Sequence, residues 1–142
     1  VTRIALVAAG PVAPEEGMAF RETLEHICRQ VDGALAAGVM GFDGIAVDTH
    51  EVDPAKLPQQ PQVNLASAMV EYSSVFGQIR AAAEQLQAGE ASEFSIRTEK
   101  LLAIGRSVGP DHFVVVTLAP DGNLGKARYA LRVGAGRIAA EL

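Results

Sequence analysis

Residues 113–128 read Phe113-Val114-Val115-Val116-Thr117-Leu118-Ala119-Pro120-Asp121-Gly122-Asn123-Leu124-Gly125-Lys126-Ala127-Arg128. From Phe113 to Leu118 the run is β-branched and almost continuously apolar, the pattern of a strand buried on both faces and therefore central in its sheet. Pro120-Asp121-Gly122-Asn123 is a turn. Beyond it Leu124, Leu131, Ile138 and Leu142 recur at helical spacing, which predicts a helix from Leu124 to the end. Lys126, Arg128, Arg132 and Arg137 lie off that apolar face against a single Glu141, so this helix carries +4 − 1 = +3.

Working back along the chain, Gly109-Pro110-Asp111 is a turn, and Leu101 to Ile104 reads as a strand. Phe94 and Ile96 alternate with Glu93, Ser95 and Arg97, a half-exposed strand suited to an edge. Thr98 to Lys100 turns between these two strands. The spacing predicts a long helix from Asn64, a plausible N-cap, to Gln87, with Gly89 as its stop. Its one stripe is Leu65, Met69, Tyr72, Phe76, Ile79, Ala83 and Leu86. A second, of mostly small residues, is Ala66, Val70, Ser73, Gly77 and Ala81. Two uncharged faces need two coverings: a sheet for the first and a closely approaching helix for the second.

His50 to Gln62 holds Pro54, Pro58 and Pro61, so it is a surface loop. Leu35 to Met40 and Ile45 to Thr49 flank Asp43-Gly44, a strong hairpin signal. Met18 to Gln30 is an amphipathic helix with Phe20, Leu24, Ile27, Cys28 and Val31 on its apolar side and Gly33 as its stop. Residues 1–17 contain Pro11, Pro14 and Gly17. They are expected to form a loose extension, or an over-long start with Met18 as initiator, leaving 18–142 as the domain.

The chain has 142 residues, of which 49 % are hydrophobic and 20 % charged, which is the make-up of one globular α/β domain. The net charge of −5 argues against a nucleic-acid partner. A lone cysteine, Cys28, fits a reduced cytoplasmic setting. No apolar run approaches a membrane span.

Element order and register together resemble the Roadblock/LC7 family. The hydrophobic strand running through Asp121, Asn123, Leu124 and Gly125 into a helix with Leu and Arg at helical spacing matches that family's closing motif. Asp43-Gly44 with Ile45 to Val47 is similar to its first hairpin, and Ser95-Ile96-Arg97-Thr98-Glu99-Lys100-Leu101-Leu102 to its middle one. The likeness covers Met18 to Leu142 and is greatest to the bacterial MglB type.

The resemblance implies a three-layer, profilin-like α+β fold of order α-β-β-α-β-β-β-α. Its five-stranded antiparallel sheet has helices 1 and 3 on one face and helix 2 on the other. It also implies a non-catalytic homodimer, joined through strand 3 and helix 2, that regulates or docks a small Ras-like GTPase. Ala66, Val70, Ser73, Gly77, Arg80, Ala81, Phe94 and Ile96 are then the interface candidates, with exposed Arg80 a contact to the GTPase. Asp121, Asn123, Leu124 and Gly125 are structural. Two other readings stand beside it: a scaffold subunit without effect on nucleotide cycling, and a small-molecule sensor, which would need a sizeable polar-lined pocket.

Nothing in the sequence demands an enzyme, a cofactor or a metal. His50, Glu51 and Asp53 are close together but lack a second ligand cluster. His26 and Cys28, two apart on a helix, do not share a face. Asp111-His112 sits in a Gly-Pro turn with no nucleophile-elbow serine. Gly134 and Gly136 lack the preceding strand and third glycine of a dinucleotide fingerprint and are expected to let helix 3 pack closely. No P-loop is present, so the chain is not itself a GTPase. The basic residues of helix 3 suit an acidic partner, although a solvated polar face is the plainer reading.

Overall fold

The computed structural model describes residues 14–142. Helix α1 (Pro14–Gln30) leads into strands β1 (Ala34–Gly41) and β2 (Ala46–Glu51), followed by a short 3-10 turn at Pro54–Lys56. Helix α2 (Leu65–Gln85), strands β3 (Glu93–Arg97), β4 (Leu102–Ser107) and β5 (His112–Leu118), and helix α3 (Leu124–Glu141) complete the chain. The expected order is the observed one. Helix α1 begins at Pro14 rather than Met18, because proline is tolerated in a first helical turn, where its missing N–H has no partner to lose. The expectation of a loose extension otherwise falls on residues 1–13, outside the described ones.

The sheet runs β2-β1-β5-β4-β3, every pair antiparallel. Strand β5 is central, as its unbroken apolar run requires, and all its residues from Phe113 to Leu118 are buried. Its side chains alternate between two cores. Val114, Val116 and Leu118 join Leu24, Ile27, Val31, Leu131 and Ile138 beneath α1 and α3. Phe113 and Val115 join Leu65, Met69, Phe76 and Phe94 beneath α2.

The second core is aromatic. Phe76 of α2 stands 4.7 Å from Phe94, 5.3 Å from Phe42 and 5.5 Å from Phe113, ring centre to ring centre. These tilted and edge-on pairs add stabilisation beyond their buried area. Beneath Phe94 lies Gly105, its antiparallel partner on β4.

The two outer helices meet at Gly134, where a β-carbon would stand 2.9 Å from Ile27 Cδ1. This is the close packing expected of the helix 3 glycines, but only for Gly134. Gly136 faces open space. The end of α1 is tied to the β5–α3 turn through Ala119 N–H donating to Gly33 O at 2.8 Å and Asn123 N–H donating to Asp32 O at 3.0 Å.

Strand β2 is one edge of the sheet. Its pairing with β1 shifts at Val39/Met40, leaving Val47 as a bulged extra residue. The Thr49 N–H donates to Asp48 Oδ1 at 2.9 Å, and Arg21 reaches the same oxygen at 3.2 Å. A bulge and a carboxylate holding the local N–H make a poor template for another strand. Strand β3, the opposite edge, has regular pairing throughout.

Candidate protein-interaction surface

Helix α2 starts where Asn64 Oδ1 accepts from Ser67 N–H at 2.9 Å, so the sequence-based N-cap is in place. Leu65, Met69 and Phe76 point into the aromatic core. On the outward side Ala66, Val70 and Ala81 are exposed, and no atom lies within 4 Å of where a β-carbon on Gly77 would stand. Val70 is 48 % exposed, which is high for a branched aliphatic residue. This stripe has the small, uncharged character that permits two helix backbones to approach.

The other interface candidates lie elsewhere. Ser73 is buried against the sheet, and its hydroxyl donates to Met69 O at 3.0 Å. The expected stripe fails there because the sheet covers a wider arc of α2 than the Leu65, Met69 and Phe76 stripe alone. Phe94 is 6 % exposed and belongs to the aromatic core, whereas Ile96 is half-buried on the edge strand. Arg80, expected to be exposed, is turned inward. Its guanidinium lies 4.0 Å over the Phe42 ring, donates to Pro110 O at 3.0 Å and stands 3.9 Å from Glu90. Side-chain exposure of 23 % follows from that clamp.

Of the family-motif residues, Asn123 caps α3 by accepting from Lys126 N–H at 3.0 Å, and Leu124 packs against the α1–α3 core. Asp121 and Gly125 are exposed. A β-carbon on Gly125 would meet only Asn123 Oδ1, at an ordinary 3.5 Å.

Several exposed apolar side chains escape a reading based on core periodicity. Ile45, expected in a strand, stands in the β1–β2 turn and is 65 % exposed. The turn lies close to Val70, whose Cγ1 would be 3.7 Å from a β-carbon on Gly44. Tyr129 and Val133 on α3 are also open, and their spacing of four off the buried face is the available signal.

Chemistry-bearing groups elsewhere are accounted for by structure. Asp53 Oδ1 accepts from Ala55 N–H and caps the 3-10 turn. Among the described residues no three His, Cys, Asp or Glu side chains are grouped to hold a metal ion. Cys28 is buried, and that burial pushes its thiol up to about 12, with Glu25 adding to the shift and Arg29 opposing it. Such a thiol stays protonated and is a poor nucleophile. A groove of about 650 Å³ opens between the α1–β1 turn, the Pro-rich loop and the β5–α3 turn. Val31, Leu35, Val52, Leu57 and Pro58 form much of its wall, and Asp32, Lys56 and Asp121 stand exposed around it. No helix among the described residues is long and apolar enough to cross a membrane.

No family model and no curated protein sequence matches the chain. Solved structures do. MglC from Myxococcus xanthus is 49 % identical over 88 % of this chain and 100 % of that one, with a TM-score of 0.63. The gliding protein MglB from Thermus thermophilus superposes with a TM-score of 0.76 at 18 % identity, over 92 % and 93 % of the two chains. A Roadblock/LC7 domain from Streptomyces avermitilis gives 0.68 at 13 % identity, over 82 % and 92 %. At these lower identities the likeness is one of fold, whereas the likeness to MglC is one of sequence as well.

Proposed function

The chain belongs to the MglB-type Roadblock/LC7 family, and on that premise we propose that it is a non-catalytic, homodimeric protein-binding module that docks or regulates a small Ras-like GTPase. The observation that carries this reading is the outward stripe of α2. Ala66, Val70 and Ala81 are exposed in line with the open site at Gly77, on the helix whose other side packs with Phe94 of the unsealed edge β3. A second copy placed by a two-fold axis would cover the stripe and continue the sheet, burying the apolar surface that a lone chain leaves in water. A reduced, cytoplasmic setting is part of the same proposal. The test is direct: sedimentation of the purified protein, then binding to a Ras-like GTPase of the same cell loaded with GDP or with a GTP analogue. A monomer at micromolar concentration, or no binding in either nucleotide state, sinks it.

A second reading, a scaffold subunit with no effect on the nucleotide cycle, is favoured by Arg80. It is the one arginine of α2 and is held by Phe42 and Pro110, so this helix has no free guanidinium to offer to a phosphate. Binding with unchanged hydrolysis would select this reading; stimulated hydrolysis would remove it.

A further inference from the structure

We propose that the outward face of α3 is a docking surface for an acidic amphipathic helix of another protein. This is independent of the GTPase reading, since α3 and α2 lie on opposite faces of the sheet. The buried side of α3 is Ala127, Ala130, Leu131, Gly134, Ala135 and Ile138. Opposite it runs a ridge at spacings of four, three and four: Tyr129, Val133, Gly136 and Ala140. Tyr129 is 65 % and Val133 61 % exposed, and nothing lies within 4 Å of a β-carbon on Gly136. Scattered exposed apolar residues are ordinary, but two large ones one turn apart form a continuous surface. At 1.5 Å per residue the ridge is about 16 Å long, room for roughly three turns of a partner helix.

Charge says what covers it. By helical spacing, Lys126 and Arg137 flank the ridge on the side toward α1, and Arg132 flanks it on the other. Arg128 is neutralised by Glu93 at 2.8 Å, but Arg132 and Arg137 make no ion pair among the described residues. Lys126 reaches Asp32 only at 3.9 Å, with both side chains exposed, so it too is available. An apolar ridge between cationic rails is complementary to an apolar stripe between carboxylates. A second copy of the same face fits poorly, because a two-fold axis would set these three cations against themselves. The net charge of −5 disfavours a nucleic acid.

The test uses the full chain and two fluorescein-labelled peptides of roughly 18 residues, long enough for the ridge. Both carry leucines at one helical stripe; one is flanked by glutamates and the other by lysines. The acidic peptide is expected to bind, with affinity falling as salt rises, and the basic one not. The double variant Arg132→Glu/Arg137→Glu should weaken the acidic peptide about tenfold or more and admit the basic one. Tyr129→Ala should also weaken it, while Glu51→Gln, exposed on the far edge strand β2, should not. Exposed substitutions of this kind leave the fold intact, and a melting curve checks that they have. Hydrogen exchange should show protection of α3 by the acidic peptide. Equal binding of both peptides, no binding of the acidic one, or protection confined to α2 overturns the proposal. So does capture by phosphatidylserine vesicles that is lost in the double variant, which would assign the face to a membrane. A fall in oligomer mass on Tyr129→Glu would assign it to a second copy and equally overturn the proposal.

Discussion

The Phe94 ring lies across Gly105 on the neighbouring strand, in the space that any β-carbon at Gly105 would occupy. The glycine is what lets an aromatic side chain on the edge strand β3 lie flat enough to reach Phe76 and Phe113.

Substituting Gly105→Ala should therefore destabilise the protein by about 1–3 kcal/mol, the usual cost of overpacking a full core. Thermal or urea unfolding measures it. Because the clash is with one ring, the double variant Phe94→Ala/Gly105→Ala should cost less than the sum of the two single changes, a coupling that a double-mutant cycle reads. Strict additivity would mean the ring and the glycine are not in register.

The stripe on α2 separates association from folding. Val70→Glu places a charge on an exposed site and is expected to leave the subunit folded while shifting sedimentation from dimer to monomer. Ser73→Glu, one turn nearer the sheet, would bury an unpaired carboxylate and should unfold the chain instead. A Val70→Glu protein that still sediments as an intact dimer would remove α2 from the interface.

Arg80 should behave as a clamp. Arg80→Ala is expected to cost about 1 kcal/mol through loss of the cation–ring contact and the bond to Pro110 O, and to speed hydrogen exchange in the Gly109–Asp111 turn. Were it a catalytic finger, stability would be unchanged and stimulated GTP hydrolysis would disappear.

These predictions rest on a fold that the residues announce well. The run Phe113–Leu118 can only be a central strand, and Asn64 caps the helix assigned to it, while Asn123, read as a turn residue, caps α3 as well. The candidate surface is less legible. Helical periodicity places Ser73 with Val70, but the sheet covers a wider arc of α2 than one stripe, so Ser73 is buried. Arg80 reads as exposed because its partners, Phe42 and Pro110, come from two distant turns that only the finished sheet brings together. Tyr129 and Val133 escape for the opposite reason: the core face of α3 is so clear that apolar residues off it carry no weight.

Cys28 should resist alkylation. Its thiol, raised from 9.0 to about 12 mainly by burial, is not ionised at pH 8, so iodoacetamide should label it only as fast as the protein opens. The same shift sets a sign for alkaline stability. The folded state holds this proton more tightly than the unfolded one, so the contribution is fully present below pH 9.0 and is lost as pH rises through about 12. Cys28→Ser should flatten that part of the profile; an unchanged slope would place its cause elsewhere.

The bulge at Val47 and the Asp48 carboxylate close off one margin of the sheet while the other stays regular. In terms of assembly, such a sheet has a valence of one. Were β3 to pair with a second copy, the other margin of each molecule would be a poor template for a further strand, and growth would terminate at a pair instead of running on into a fibre. Asp48, on the edge opposite to β3, would thereby limit how many copies can join by strand pairing without touching the strand through which they would join.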